Sequence, residues 1–206
     1  DAVGNTDATP ASHTWTVDTV APGTTLSSTL SDPGTDTTPT FTFTASETAT
    51  FRCRVDAEPF ATCVSPFTTA ALAEGAHTFQ VQATDAAGNV EGAPATRTFA
   101  IDLTPPDTTL ASALTDPGTD APPTSTFTPS DTATFRCRVD ADPFATCASP
   151  FTTAALGEGA HTFQVQATDA AGNLEAAPAS RTFTIDLTAP QTTITTAPPA
   201  GTTHTG

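Results

Sequence analysis

The feature that most constrains this chain is an internal repeat of 84 residues. Phe51-Arg52-Cys53-Arg54-Val55-Asp56 returns as Phe135-Arg136-Cys137-Arg138-Val139-Asp140, and Glu74-Gly75-Ala76-His77 returns as Glu158-Gly159-Ala160-His161. Residues 23–106 and 107–190 align without a gap and are identical at 67 of 84 positions. One fold must therefore serve both copies, and each copy is near the lower size for an independent domain.

The phase of the repeat sets the expected organisation. Asp1-Ala2-Val3-Gly4-Asn5 matches Asp85-Ala86-Ala87-Gly88-Asn89, and Trp15 stands where Phe99 and Phe183 stand. Residues 1–22 therefore read as the last strand of a preceding repeat, followed by repeats at 23–106 and 107–190. Residues 191–206 read as the first strand of a following repeat, because Thr192-Thr193-Ile194 matches Thr108-Thr109-Leu110. On this reading the chain is a window on a longer array. The alternative is a filament subunit whose orphan end strands pair with copies of itself.

Within a repeat the apolar residues alternate with period two. Phe41 and Phe43 alternate with Thr, as do Phe79, Val81 and Ala83 with Thr78, Gln80 and Gln82, and Phe99, Ile101 and Leu103 with Thr98, Ala100 and Asp102. Such alternation describes half-buried strands, and Thr suits their solvated face because its branched Cβ fits the pleat. Asp32-Pro33-Gly34, Asp56 to Pro59, Glu74-Gly75 and Ala87-Gly88-Asn89 carry turn chemistry. The expected fold class is all-β, with about seven antiparallel strands per repeat in a two-sheet sandwich. The Phe residues and Trp15 are expected in the core.

Composition removes several functions. The chain carries 22 acidic and 6 basic residues, for a net charge of -16. Nucleic-acid binding needs the opposite sign, so no nucleic acid is expected as a partner. No apolar run reaches the roughly 20 residues of a membrane span. The sequence has no P-loop and no Gly-x-Ser-x-Gly, and no enzymatic activity is expected.

The run from Phe51 to Asp56, then Cys63, Ser65-Pro66-Phe67-Thr68-Thr69, Glu74-Gly75-Ala76-His77-Thr78-Phe79, Ala83-Thr84-Asp85-Ala86-Ala87-Gly88-Asn89 and Arg97-Thr98-Phe99 resembles bacterial immunoglobulin-like repeats of large secreted and surface proteins. The second half of the unit is also similar to the hyalin-type repeat. The resemblance implies tandem immunoglobulin-like sandwiches in stalks, adhesin shafts and extracellular modules. Arg52 and Arg54 depart from the usual pattern.

Four cysteines, Cys53, Cys63, Cys137 and Cys147, allow three pairings. A self-sufficient repeat favours Cys53–Cys63 and Cys137–Cys147, across the turn at 56–59. Each such loop would favour the fold by about 2–3 kcal/mol and place the chain in an oxidising compartment, extracellular or at the cell surface. One His per repeat is too few for a zinc site built on each Cys pair. His77 and His161 stand two residues before a strand Phe, where the tyrosine of an immunoglobulin corner bonds back to the backbone, and a structural corner is expected there.

Asp85, Asn89, Glu91 and Asp102, with Asp169, Asn173, Glu175 and Asp186, offer hard oxygen ligands near each junction, so calcium is a candidate cofactor. The simpler role for Asp85 and Asn89 is to cap a hairpin turn. Arg52 and Arg54 share an outward face, set either to pair with surrounding acids or to meet a lateral neighbour. The many Thr hydroxyls are potential O-glycan acceptors. The junctions Val20-Ala21-Pro22, Thr104-Pro105-Pro106 and Thr188-Ala189-Pro190 are short, and their prolines limit hinge motion.

The leading expectation is a structural module of a long extracellular bacterial protein: an adhesin stalk, fibre or spacer whose partners are adjacent repeats or copies of the same chain. A carbohydrate- or protein-binding module and a strand-exchanging filament subunit are the alternatives. A binder would show a repeat-specific aromatic or acidic patch, and a polymer would show an end strand inserted in another chain.

Overall fold

A computed structural model describes residues 2–111, 116–119, 122–193 and 195. The chain divides into two compact units, Asp1–Leu103 and Thr104–Gly206. No helix among the described residues is long and apolar enough to cross a membrane.

The first unit holds seven strands: β1 (Thr24–Ser27), β2 (Thr40–Ala45), β3 (Ala49–Val55), β4 (Ala61–Cys63), β5 (Phe67–Thr68), β6 (Gly75–Asp85) and β7 (Ala95–Ile101). They form one sheet in the order β1-β2-β5 and another in the order β4-β3-β6-β7, with every strand pair antiparallel. The second unit repeats this as β8 (Thr108–Ala111), β9 (Thr124–Pro129), β10 (Ala133–Val139), β11 (Ala145–Cys147), β12 (Phe151–Thr152), β13 (Gly159–Asp169) and β14 (Ala179–Ile185). Its sheets run β12-β9-β8 and β11-β10-β13-β14. Among the described residues the chain is all-β, with a seven-stranded sandwich in each unit.

The period-two pattern explains which face each strand buries. In β2, Phe41 and Phe43 are buried while Thr40, Thr42 and Thr44 face water. In β6, Phe79, Val81, Ala83 and Asp85 are buried in alternation. Phe41, Phe43, Phe79 and Val81 meet Phe99, Ile101 and the Cys53–Cys63 pair in one core. Burying each large side chain contributes about 1.5–3 kcal/mol, which offsets the ordering of these short strands. Leu103 and Leu187 do not continue the pattern: the last strands end at Ile101 and Ile185, and both leucines are exposed.

The outer edge of β7 is covered by the Asp32-Pro33-Gly34 turn. Ala100 N–H donates to Asp32 Oδ1 at 3.0 Å, Gly34 N–H to the Ala100 carbonyl at 3.1 Å, and Asp102 N–H to the Gly34 carbonyl at 3.0 Å. Thr184 bonds to Asp116 and Gly118 in the same way. This cover blunts an edge that would otherwise offer unpaired backbone groups.

Trp15 departs from expectation. It is 77 % exposed and Val17 72 %, and none of residues 5–23 lies in a strand. The reason is physical: the β6 and β13 edges that would receive such a strand are already filled by β7 and β14. Of the expected strand after residue 190, residues 191–193 are irregular, and residue 194 and those from 196 onward lie outside the described residues.

Candidate functional site

Two constellations recur whole in each unit, and a third recurs in its turn but gathers three carboxylates only in the first, among the described residues. The first is the cysteine hairpin. Cys53 is disulfide-bonded to Cys63 and Cys137 to Cys147, with Cα–Cα separations of 5.8 and 5.7 Å. The register explains the pairing: Cys53 faces Ala61 while Phe51 faces Cys63, so the two cysteines are diagonal neighbours on one face of the β3–β4 pair. Both disulfides join residues ten apart in sequence.

The two arginines beside each cysteine lie against the same hairpin. Arg52 Nη2 donates to the Phe60 carbonyl at 2.8 Å. Arg54 donates from Nε to Gln80 Oε1 at 2.6 Å, and its guanidinium lies 4.5 Å over the Phe60 ring. Arg136, Arg138 and Phe144 repeat this arrangement. Their described partners are thus a carbonyl, an amide and a ring rather than the surrounding acids. A cation over an aromatic face gains about 0.5–1 kcal/mol when exposed and more when desolvated, with Arg54 and Phe60 half-buried between the two. Phe60 is accordingly half-buried under an arginine instead of lying in the central core.

The second constellation is the histidine corner. Asp56 turns the chain with φ of 53°, a left-handed conformation that aspartate tolerates. Its Oδ1 accepts from Thr78 N–H at 2.8 Å, and its Oδ2 lies 2.8 Å from His77 Nδ1. His77 Nε2 lies 2.9 Å from the Ala73 carbonyl. Both ring nitrogens therefore face acceptors, and only the doubly protonated ring donates to both. The bond to Asp56, with that to the Ala73 carbonyl, holds the His77 pKa above its ordinary value. Burial works to raise the Asp56 pKa, but the bonds from His77 and Thr78 outweigh it and hold it low. His161, Asp140, Thr162 and the Gly157 carbonyl repeat the corner at 2.7–3.1 Å. With both nitrogens engaged, this histidine is not set to accept a proton from a nucleophile.

The third constellation is acidic. Asp85 closes the Asp85–Asn89 turn: Asn89 N–H donates to Oδ1 and Asn89 Nδ2 to Oδ2, each at 2.8 Å, and Gly88 supplies the positive φ of 94°. The Asn89 bonds hold the Asp85 pKa below the usual carboxylate value. Asn173 caps Asp169 at 2.8 and 2.9 Å, and these bonds outweigh the burial that opposes them. Asp85 also gathers Asp18 and Glu47, with one carboxylate oxygen from each of the three within 4.8 Å of the others. Three close carboxylates repel one another, and an all-oxygen donor set fits a hard cation such as calcium.

The membership of that group differs from the sequence expectation. Glu91 does not join it. Its carboxylate accepts from Thr24 N–H at 2.8 Å, Thr24 Oγ1 at 2.7 Å and Ala83 N–H at 3.1 Å, tying β1 to β6 across the two sheets. Glu175 does the same for Thr108 and Ala167 at 2.8–2.9 Å and is buried. Asp102 bonds through its backbone to Gly34, and Asp186 bonds to Gly118 and Thr188. Asp18, which enters the group, is the counterpart of Asp102 one repeat earlier. Glu47 carried no sequence signal, because only folding brings the β2–β3 turn beside Asp85.

Residues 27–103 match the family model of the bacterial Ig-like domain. Among solved structures, the chain is similar to the fibronectin(III)-like modules of Clostridium thermocellum CbhA, at 16 % identity, over 84 % of this chain and 100 % of that one, with a TM-score of 0.45. No curated protein matches the chain. The first repeat is similar to the bacterial Ig-like domain over residues 27–103, and the second carries the same seven strands 84 residues further on.

Proposed function

We propose that the chain is a structural module of a long extracellular bacterial surface or filamentous protein, acting as a stalk or spacer rather than as an enzyme. The observation that carries this reading is the self-contained repeat. Each unit closes its own sandwich, its own disulfide, its own histidine corner and its own Glu91- or Glu175-type tie. Nearest-neighbour arrays of such units lengthen without changing their parts. The disulfides favour an oxidising location outside the cytoplasm. The charge of -16 resists association of like segments.

The Asp18, Glu47 and Asp85 group is where a stiffening calcium ion would sit in this reading. Chelator that leaves the melting temperature of a calcium-loaded sample unchanged contradicts that part alone.

The test of the spacer is surface display of the chain with a terminal reporter and with one, two or four repeats. A spacer raises the reporter further with each repeat and retains no glycan or host protein. Retention of a glycan that is lost on changing loop residues of one repeat supports the binding-module reading instead.

A further inference from the structure

The chain contains a third copy of the last strand, with no sandwich around it. Ala11, Thr14 and Asp18 repeat Ala95, Thr98 and Asp102, while Trp15 and Val17 stand for Phe99 and Ile101. In β7 those two residues are 5 % and 2 % exposed, facing His77 and Gly75 of β6 in register. In the third copy the same two positions are exposed, and no strand pairing is made. Trp15 and Val17 would share one face of a strand, and apart from the stacking of Trp15 on His13 that face lies in water, where burying its apolar surface would be favourable.

We propose that Ala11–Asp18 is a seventh strand whose partner is the β6-type edge of a repeat of this same 84-residue kind, joined ahead of it in one polypeptide. The complete repeats define the fit. Trp15 takes the Phe99 position opposite a His77-type residue, and Val17 the Ile101 position opposite a Gly75-type residue. Thr16 is the counterpart of Ala100 and Thr184, whose N–H groups donate to Asp32 and Asp116. It is thus positioned for an Asp-Pro-Gly cover on its outer side. The larger indole also selects between the two kinds of repeat. The Phe99 ring lies 5.6 Å from Phe41, and a repeat with serine there, as at Ser125, leaves more room for tryptophan. This deepens the array reading and relies on it only for the 84-residue unit.

Trp15 is the single tryptophan of the chain, so its fluorescence reports the strand directly. The experiment grafts residues 23–84 ahead of Asp1, which preserves the phase, and compares the product with the 206-residue chain. A second graft uses residues 107–168, which supply the serine-bearing core. The expected result is a blue-shifted Trp15 emission and a several-fold drop in acrylamide quenching in the grafts, larger with the serine-bearing repeat. A third unfolding transition should appear and should vanish in Trp15→Asp. Trp15 that stays as quenchable in both grafts as in the parent chain, with the grafted cysteines oxidised, overturns the proposal. Burial of Trp15 in the parent chain that grows with protein concentration also overturns it, because the edge would then come from another copy. Glycan retention in the display assay would defeat the spacer reading and leave this strand assignment standing.

Discussion

The two repeats share their backbone plan but not their central ring. In the first, Phe41 is fully buried, stacked on Phe79 with centroids 4.1 Å apart and planes within 5°. In the second, the same position is Ser125, 2 % exposed. The register around it is unchanged: Phe41 faces Phe67, and Ser125 faces Phe151. The remaining rings have not closed in. Phe67 lies 5.6 Å from Phe79, and Phe151 lies 5.5 Å from Phe163. The fold thus tolerates loss of its best-packed ring, because strand pairing, the disulfide and the glutamate tie hold the frame. The second core carries the cost as lost packing.

A smaller difference points the same way. Thr38 N–H donates to Asp36 Oδ1 at 2.9 Å, and Pro122 at the matching position has no N–H to donate.

The largest expected effect exchanges the two cores. Phe41→Ser should cost the first repeat about 3–5 kcal/mol, in the range of Phe truncations. Calorimetry should then show the first repeat melting near or below the second. A loss under about 1 kcal/mol would mean that the stacked ring contributes little beyond a surface residue.

Removal of either disulfide ranks next. Cys53→Ala with Cys63→Ala should cost about 2–3 kcal/mol, as expected for a short closed loop. Cys137→Ala with Cys147→Ala should cost the same by denaturant titration but leave the already weaker second repeat the more unfolded at 37 °C. Equal melting temperatures for the two double variants would break the comparison.

The glutamate ties should differ less. Glu175 is more buried than Glu91, so Glu175→Ala leaves its N–H partners drier than Glu91→Ala does. Hydrogen bonds to a charged group contribute about 1.5–3 kcal/mol, and Glu175→Ala should fall at the upper end of that range. Urea midpoints of the two variants check the order.

The smallest effect is pH-dependent and common to both repeats. His77 and His161 have raised folded pKa values, so their contribution is complete below the ordinary 6.5 and is lost as pH rises through the folded value. Asp56 and Asp140 have lowered values, so theirs is present above the ordinary 3.8 and is lost as pH falls through the folded value. Each corner is strongest between these limits. Melting temperature should therefore fall as pH rises from 6 to 8, and His161→Gln should flatten that slope in the second repeat alone. A slope unchanged by His161→Gln would assign it to other groups.

Much of the scaffold was legible because its signals are local. Alternation of Phe79, Val81 and Ala83 with polar residues needs only a pleat, and the Asp85 to Asn89 turn needs only its own side chains. What escaped depends on contacts between distant segments. Glu91 reads as a candidate calcium ligand until folding places it against Thr24, 67 residues away in sequence. Ser65, which accepts Phe43 N–H at 2.9 Å, carries no strand signal of its own. Asp32 looks like a turn residue and also covers the edge of β7. Trp15 followed the core pattern, but the pattern cannot say whether a partner edge is free.

The two repeats are self-contained modules of one design, and the largest inequality between them is how their cores are filled. Scanning calorimetry of Ser125→Phe beside the parent chain tests this most directly. Two resolved transitions are expected in the parent and, in the variant, a rise of the lower one alone until it approaches the upper. A single transition that Ser125→Phe moves as a whole would contradict it.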